Sequence, residues 1–425
     1  MVIVVMKKSF VMCVLGLVAS LAACGAEPEE PVTQEPAQTS TNNARSANNA
    51  QTSDNAVSGN NATSNNATAA NNATSANNTQ PVNNTANNAT TPANNQSTPV
   101  NNTSVEPVGC GEQEDCIDTF PQVLSDTTSG GAAELSSYSC APDTNESGPE
   151  RAYKVILAQP GFLAARIANE PEGVDIDVHI LSALDEDSCL DRGHFAAGAY
   201  LEPGEYWVVA DSWTDDQGMS YAGAFDLEIN LVQKGDWALL GMNSEVAADA
   251  FDAFVMAWGK GDTKHLAYAI TDFSIHSSNE RLWIVDLATD EQLHFLTVGH
   301  GIGSVEGEDK GEATAFSNVV ASHQSSLGMM RAAEPYVGDY GYSMRLDGLE
   351  PGYNDNARQR DIVVHPDERN APEVTAMQGY LTPSRGCPTL DPAISTEVVD
   401  LMSEGGLMFF WYPDEDWRSG SSYLR

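Results

Sequence analysis

Basic residues are scarce in this 425-residue chain. It has 20 lysines and arginines against 60 aspartates and glutamates, a formal net charge of −40 at pH 7. Because nucleic-acid binding depends on cations that neutralise phosphates, this balance excludes nucleic acid as a partner. It also argues against polybasic membrane contact and predicts a solvated, strongly acidic surface.

Several catalytic fingerprints are also missing. The sequence has no H-E-x-x-H motif and no paired C-x-x-C motifs, so a zinc site has no support. It has no P-loop, no dinucleotide-binding glycine motif and no G-x-S-x-G nucleophile elbow. We therefore predict no metal and no cofactor, and a serine hydrolase of that kind is disfavoured.

An apolar stretch of residues lies near the N-terminus. Residues 10–23 follow Lys7 and Lys8 and are too short to span a bilayer comfortably, which predicts a signal peptide over residues 1–23. The small residues Ala22 and Ala23 directly precede Cys24, an arrangement that resembles the bacterial lipobox. This resemblance implies cleavage before Cys24 and lipid attachment to it; the alternative is an ordinary signal peptide with a chance cysteine.

Residues 24–108 are predicted to form a disordered tether. The segment repeats Asn-Asn-Ala-Thr and has almost no apolar residues from which a core can form. Together with lipid on Cys24, this predicts a protein of the bacterial cell envelope, anchored in the membrane and facing the periplasm or the surface. Gly25, in place of aspartate, favours the outer membrane.

The other cysteines fall into two groups. Cys110, Cys116, Cys140 and Cys189 lie in one region, and an oxidising compartment favours two disulfides among them. We favour Cys110–Cys116 and Cys140–Cys189, although four cysteines allow three pairings. Cys387 is left alone. A lone thiol in an exported protein suggests a function for it, and a buried inert cysteine is the alternative.

Residues 109–234 read as a small antiparallel β-sandwich, because short alternating or apolar runs are separated by turns. The clearest runs are residues 153–157, 174–181, 206–211 and 224–231. Residues 173–180 and 201–209 resemble the bacterial pre-peptidase C-terminal domain over about residues 148–232, which implies an accessory domain of exported enzymes. Asp175 and Asp177 share a strand face, where we expect solvated aspartates rather than a cation site.

Residues 236–425 read as a second β-rich domain with a few helices, so the whole chain is predicted to be mainly β. An amphipathic helix is predicted over residues 245–258, ending at Gly259. A hairpin is predicted at residues 282–287 and 293–298. Further strands are expected at residues 343–346, 362–365 and 407–412, and a helix at 394–402.

Cys387 and His365 have the composition of a nucleophile and its base. Cys387 lies in Ser384-Arg385-Gly386-Cys387-Pro388, and His365 ends the apolar run 361–365. A free thiol, with a pKa of about 8.5, is only a few per cent thiolate near neutrality. A histidine within reach takes the proton and then stabilises the thiolate.

A series of motifs, in order over about residues 240–415, resembles the murein L,D-transpeptidase catalytic domain (YkuD-like). They are residues 281–287, 298–301, 316–318, 325–328, 341–349, 354–357, 362–365 and 384–388. Pro366-Asp367, Pro383 and Pro388-Thr389-Leu390 depart from the pattern of this family. These departures leave substrate recognition less defined than the chemistry.

The resemblance implies a role for each matched residue. Cys387 would be the nucleophile and His365 its base; Ser384, Arg385, Gly386 and His300 would shape the site and its oxyanion donors. Arg345, Asn356 and Arg358 are candidates for substrate binding. The arginines between residues 345 and 385 also mark a candidate anion-binding zone, with ordinary surface arginines as the alternative: Arg345, Arg358, Arg360, Arg369 and Arg385.

The implied function is that of a lipid-anchored cysteine L,D-transpeptidase, with peptidoglycan stem peptides as partners. It would form or remodel cross-links through a thioester. An L,D-carboxypeptidase acting on the same stems is the alternative enzyme. A surface lipoprotein that binds cell wall without turnover is the alternative from another class.

Overall fold

A computed structural model describes residues 109–111, 113 and 115–424 of the chain. All of these residues fall in one compact unit. The predicted signal peptide, Cys24 and the predicted tether lie outside the described residues. Among the helices of the described part, none has the length and apolar character needed to cross a lipid bilayer.

The first part of the described chain is a two-sheet β-sandwich. Its strands are β1 (Cys116–Ile117), β2 (Gln122–Thr127), β3 (Glu150–Leu157), β4 (Gly161–Ala168), β5 (Ile176–Leu181), β6 (Cys189–Gly193), β7 (Ala196–Leu201), β8 (Gly204–Ser212) and β9 (Ala224–Val232). One sheet has the order β1-β3-β8-β5-β6 and the other β2-β9-β4-β7. Neighbouring strands are antiparallel except β1 and β3, so the predicted sandwich is confirmed.

Alternation of side chains builds the sandwich core. In β9, Phe225, Leu227 and Ile229 point inward at every second position and are buried. They pack in one cluster with Val155 and Val208 of the opposite sheet. Full burial of each such side chain stabilises the fold by about 1.5–3 kcal/mol.

Both favoured disulfides are confirmed. Cys110 bonds to Cys116 at the start of β1, and Cys140 bonds to Cys189 at the start of β6. The second bond ties the loop before β3 to the edge of the sheet. Cys387 is a free, buried cysteine.

The second part contains an eight-stranded sheet and the helices. Its elements are α1 (Ser244–Lys260), β10 (Ala267–Asp272), β11 (Leu282–Asp286), β12 (Glu291–Leu296), β13 (Gly328–Gly338), β14 (Gly341–Gly348), β15 (Val363–Pro366), α2 (Pro372–Gln378), β16 (Thr389–Leu390), α3 (Pro392–Met402), β17 (Leu407–Trp411) and α4 (Glu415–Gly420). The strand order is β12-β11-β10-β17-β13-β14-β15-β16. β11 and β12 are an antiparallel pair, which confirms the predicted hairpin. The mainly β fold class is likewise confirmed.

Helix α1 continues two residues beyond the predicted end. Gly259 is helical, and the helix closes at Gly261, which has a φ of +75° and donates its N–H to Ala257 and Trp258. The prediction chose the first glycine after the apolar pattern. The cap is instead the glycine that adopts the left-handed conformation. At the other end, the Asn243 side chain accepts from the Glu245 N–H as an N-cap.

The apolar face of α1 joins the sandwich to the large sheet. The Phe254 ring lies 5.2 Å from the ring of Phe162 in β4 and 5.1 Å from that of Tyr268 in β10, measured between ring centroids. Polar contacts reinforce this junction: Asn230 in β9 donates to the Leu287 carbonyl at 2.9 Å. The sandwich therefore shares a hydrophobic core with the helix and sheet that follow it.

Candidate active site

The loop that ends at Cys387 is fastened to the segment around His300. Ser384 forms a parallel bridge with Gly301. The Ser384 N–H donates to the His300 carbonyl at 2.8 Å, and the Ile302 N–H donates to the Ser384 carbonyl at 2.8 Å. This pairing positions the loop just before β16, which lies beside β15 in the sheet.

The Ser384 hydroxyl closes the loop on itself. Its Oγ accepts the Gly386 N–H at 3.0 Å and donates to the Cys387 carbonyl at 2.7 Å. The Gly386 N–H is therefore used inside the loop. Among the described residues the Cys387 N–H has no hydrogen-bond acceptor, so it is the donor left to face a developing oxyanion.

Gly386 is required by the shape of this loop. Its φ is +118°, which L side chains rarely adopt. A Cβ at this position would also lie 2.8 Å from the Gln324 carbonyl oxygen and 2.9 Å from Ile362 Cδ1. The backbone thus packs directly against its neighbours and holds the next residue, Cys387, in place.

The sulfur of Cys387 lies against the segment that leads into β15. Only 9% of the residue is exposed. Its Sγ donates to the Asp361 carbonyl at 3.5 Å, and the Val363 N–H is directed at the sulfur. Burial raises the pKa of the thiol, whereas the Val363 N–H and the Arg360 charge lower it. Burial dominates, so the resting group is the protonated thiol.

The neighbouring strand carries His365. His365 of β15 pairs with Thr389 of β16, and its N–H donates to the carbonyl of Pro388, the residue after Cys387, at 3.4 Å. The backbone therefore brings the loop of Cys387, which leads into β16, beside His365 of the adjacent parallel strand β15. This proximity arises from the sheet and could not be read from the sequence spacing alone.

A hydrogen bond defines the tautomer of the His365 ring, and an aromatic ring stacks on one of its faces. Its Nδ1 lies 2.8 Å from the Pro366 carbonyl oxygen, so Nδ1 carries the proton and Nε2 is left to accept one. The Tyr340 ring stacks on it at 4.3 Å. Burial lowers the pKa of the imidazole, so the ring is neutral near neutrality. A neutral imidazole with a bare Nε2 has the properties of a general base.

The Cys387 thiol donates its proton in a hydrogen bond to the Asp361 carbonyl. Within the described residues, no hydrogen bond joins Cys387 Sγ to the His365 ring. Catalytic hydrogen bonds are often long without substrate and tighten when it binds. The roles predicted for the two side chains stay predictions.

His300 has a structural setting. The residue is fully buried, and its Nδ1 accepts from Arg281 Nη2 at 2.9 Å. Burial lowers the pKa of His300 to about 3, so the ring stays neutral. Its carbonyl receives the Ser384 N–H, so His300 connects Arg281 to the cysteine loop. Arg281 was given no role from the sequence; the available signal was its position as the residue that opens the matched motif 281–287.

The predicted substrate-binding residues are held by other protein groups. Arg358 pairs with both Glu334 and Asp347. The Asn356 side chain donates to the Asn318 carbonyl at 3.0 Å. The structure therefore does not bring these two side chains into contact with the cysteine loop, and their substrate role stays a prediction.

Arg345 and Arg385 lie nearer the thiol. Arg345 contacts Glu334 at 3.4 Å and Asp361 at 3.9 Å, and its guanidinium lies 4.4 Å above the Tyr336 ring. Arg385 is exposed beside Gly386. Within the described residues, the Arg385 guanidinium has no hydrogen-bond or ion-pair partner, which leaves it available to a ligand.

Three side chains on the sandwich lie close enough together to ligate a cation. Asp175, Asp177 and His194 place one oxygen or nitrogen each within 4.8 Å of one another. Asp177 is buried and pairs with Arg192, so the expectation of a solvated aspartate is wrong for this residue. The Arg192 guanidinium already supplies positive charge to the Asp177 carboxylate.

Comparisons with known proteins agree with the predicted resemblance. Residues 240–411 match the family model of the L,D-transpeptidase catalytic domain. No curated protein matches the chain.

Solved structures with similarity to this chain include an accessory domain and several L,D-transpeptidases. A pre-peptidase C-terminal domain of a Bacillus anthracis collagenase is 15% identical and covers 27% of this chain and 93% of its own, with a TM-score of 0.19. An L,D-transpeptidase from Stackebrandtia nassauensis is 12% identical and covers 40% and 68%, with a TM-score of 0.21. One from Mycobacterium smegmatis is 12% identical and covers 69% and 100%, with a TM-score of 0.21. Scores this low carry no argument about function.

The family match over residues 240–411 supports an enzyme of the transpeptidase or acyltransferase type. More narrowly, these residues match the YkuD-like L,D-transpeptidase catalytic domain, the family that the sequence motifs resemble.

Proposed function

We propose that the protein is a lipid-anchored cysteine L,D-transpeptidase that forms or remodels peptidoglycan cross-links. The observation that carries the proposal is the position of Cys387, on a glycine-containing loop beside the strand that carries His365, inside the matched domain. The free N–H of Cys387 and the bare Nε2 of His365 supply an oxyanion donor and a base.

The first step forms a thioester. The His365 imidazole takes the thiol proton, and the Cys387 sulfur attacks the carbonyl between diaminopimelate and the terminal D-alanine of a stem peptide. Negative charge moves to the carbonyl oxygen, where the Cys387 N–H stabilises it. As the oxyanion collapses, the C–N bond breaks and the imidazolium gives its proton to the leaving D-alanine nitrogen.

The second step transfers the acyl group. An amine of another stem peptide attacks the thioester carbonyl and loses a proton to His365, and the C–S bond breaks. The product is an amide between two diaminopimelates, and the proton returns from His365 to the Cys387 sulfur. If water attacks instead, the product is a shortened stem, which is the carboxypeptidase outcome.

Location in the cell envelope is part of the proposal. The lipobox-like residues before Cys24 and the polar segment 24–108 support a lipid anchor with a tether, and Gly25 favours the outer membrane. The net charge of −40 argues against nucleic acid as a partner, and the match to the L,D-transpeptidase domain is what favours peptidoglycan stem peptides. Mass spectrometry of the purified mature N-terminus tests the anchor: a diacyl or triacyl mass on Cys24 is expected, and a free Cys24 or cleavage elsewhere would contradict it.

The activity is tested by incubating the full chain with purified sacculi and analysing the muropeptides. We expect new cross-links between two diaminopimelates with the wild type and none with Cys387→Ala. Shortened stems without cross-links would assign the carboxypeptidase reaction. Binding to sacculi with unchanged muropeptides from both proteins would refute catalysis.

A carbapenem provides an independent readout of the nucleophile. Intact mass should show one adduct on the wild type, and peptide mapping should place it on Cys387. An adduct that persists in Cys387→Ala would contradict the assignment.

A further inference from the structure

The described arginines that lack a carboxylate partner lie around the cysteine loop. Most of the arginines in the described residues make an ion pair with aspartate or glutamate: Arg151, Arg166, Arg192, Arg331, Arg345, Arg358, Arg369 and Arg418. Three described arginines do not: Arg281, Arg360 and Arg385. With three times as many acids as bases in the chain, such unpaired cations are unexpected.

Each of the three arginines belongs to the cysteine loop, packs against it or is connected to it through one other residue. Arg281 acts through His300, whose carbonyl holds Ser384. Arg385 is part of the loop. Arg360 lies underneath it, with Nη2 3.4 Å from the position that a Cβ of Gly386 would occupy.

Arg360 is held by neutral groups only. Its Nη1 donates to the Ser317 carbonyl at 2.5 Å and to the Ser326 hydroxyl. Its Nη2 donates to the Gln324 carbonyl and to the Ser322 hydroxyl at 3.3 Å. These bonds fix the guanidinium without cancelling its charge. The residue is half-buried, so solvent screens that charge less than it would at the surface.

Several charged or titratable groups face the sulfur from the elements around it. They are Arg360 and Asp361 from the turn before β15 and Tyr336 from β13. His365 of β15 and Arg385 of the loop are the other titratable or charged residues on the adjoining backbone. The Asp361 side chain opposes a thiolate, but it is mostly exposed and lies 3.9 Å from Arg345. His365 is neutral at rest, so Arg360 is the fixed positive charge among the groups packed beneath the loop.

We propose that Arg360 stabilises the Cys387 thiolate, as a permanent positive charge set under the nucleophile loop. It does not touch the reacting atoms and acts as a positioning residue through electrostatics. The inference rests on the proposed function only in taking Cys387 as the nucleophile. It explains how a thiol that donates to a backbone carbonyl, rather than to His365, becomes reactive once its proton is removed.

The test is the pH dependence of Cys387 alkylation by iodoacetamide in the full chain. Peptide mass mapping assigns the adduct, because Cys24, if it carries no lipid, and Cys13, if the signal peptide is retained, would also offer thiols. Only the thiolate reacts, so the rate reports its population without any need for peptidoglycan. Loss of a close positive charge should slow alkylation by about tenfold at pH 7 in Arg360→Gln. Arg360→Lys, which keeps the charge, should stay closer to the wild type.

Arg331→Gln is the matched control, because it removes an arginine that pairs with Asp347 on the same sheet. Its alkylation profile should equal that of the wild type. An Arg360→Gln protein with an unchanged melting temperature and an unchanged profile would overturn the proposal, as would an Arg360→Lys profile as slow as that of Arg360→Gln.

Asp361→Asn keeps the test decisive if Arg360→Gln does not fold. Asparagine tolerates the positive φ of 53° at this position, and the substitution removes the charge that opposes the thiolate. Faster alkylation supports the proposal, and an unchanged rate in Asp361→Asn together with a slowed rate in Arg360→Lys would overturn it. Failure of the muropeptide assay leaves this readout intact, so the two hypotheses fail separately.

Discussion

Replacing Gly386 by alanine tests whether the backbone of the cysteine loop sets the reactivity of Cys387. The substitution adds one methyl group and changes no charge. That methyl would lie 2.8 Å from the Gln324 carbonyl oxygen, closer than real Cβ contacts occur, and 2.9 Å from Ile362 Cδ1. The φ of +118° adds a conformational cost for any residue with a Cβ.

The magnitude follows from these two effects. An unfavourable φ costs roughly 1–3 kcal/mol, and inserting a methyl into packed surroundings typically costs about 1–3 kcal/mol. If the loop keeps its shape, the sum is about 2–6 kcal/mol of lost stability. If the loop moves instead, the same energy opposes the reactive geometry and slows acylation by about 30- to 20,000-fold.

Two measurements separate these outcomes. Urea unfolding reports the free energy of unfolding, and a time course of carbapenem adduct by intact mass reports the acylation rate. Gly241→Ala is the control, because Gly241 has a φ of +83° but no atom within 4 Å of its added Cβ. It should lose only about 1 kcal/mol of stability and acylate at the wild-type rate. Wild-type stability together with wild-type acylation in Gly386→Ala would refute the reasoning.

Three further predictions follow from individual contacts. Ser384→Ala removes the hydroxyl that closes the loop and leaves the buried Gly386 N–H unpaired. The free energy of unfolding should fall by about 1–3 kcal/mol and the acylation rate of Cys387 at least tenfold. An unchanged rate would argue against a role of Ser384 in shaping the loop. Arg385→Gln should raise KM for stem peptides with a free terminal carboxylate by about tenfold at constant kcat, because a charge-assisted hydrogen bond is lost, and equal KM values would exclude this contact. Burial raises the pKa of Asp211 to about 8 from 3.8, so its stabilising contribution is complete below pH 4 and is lost as the pH rises through 8. Thermal unfolding should therefore occur at lower temperature at pH 9 than at pH 5, less so in Asp211→Asn, and an equal pH dependence in the two proteins would contradict this cause.

Local patterns were sufficient where polar and apolar residues alternate or where large apolar residues follow one another without a break. The runs at β9 and β11 have the alternation or apolar character of strands, and the predicted helix at residues 394–402 starts at Pro392. The sequence analysis missed β10, all of whose residues are buried in the middle of a sheet. Tyr268 and Ile270 are its only large apolar side chains, so β10 lacks the continuous apolar run by which the equally buried β11 is recognised.

The amino-acid sequence by itself determined the chemical inventory of this protein: an acidic chain, four cysteines that form two disulfides, and a lone cysteine on a Ser-x-Gly loop with a histidine upstream. Those features depend on composition and on neighbours along the chain. Only the tertiary structure decided the roles of two arginines that stand two positions apart. Arg358 pairs with Glu334 and Asp347, whereas Arg360 lies under Gly386 with no carboxylate. Their surroundings come from strands and loops far away in sequence, and no local pattern encodes which arginine faces the sulfur.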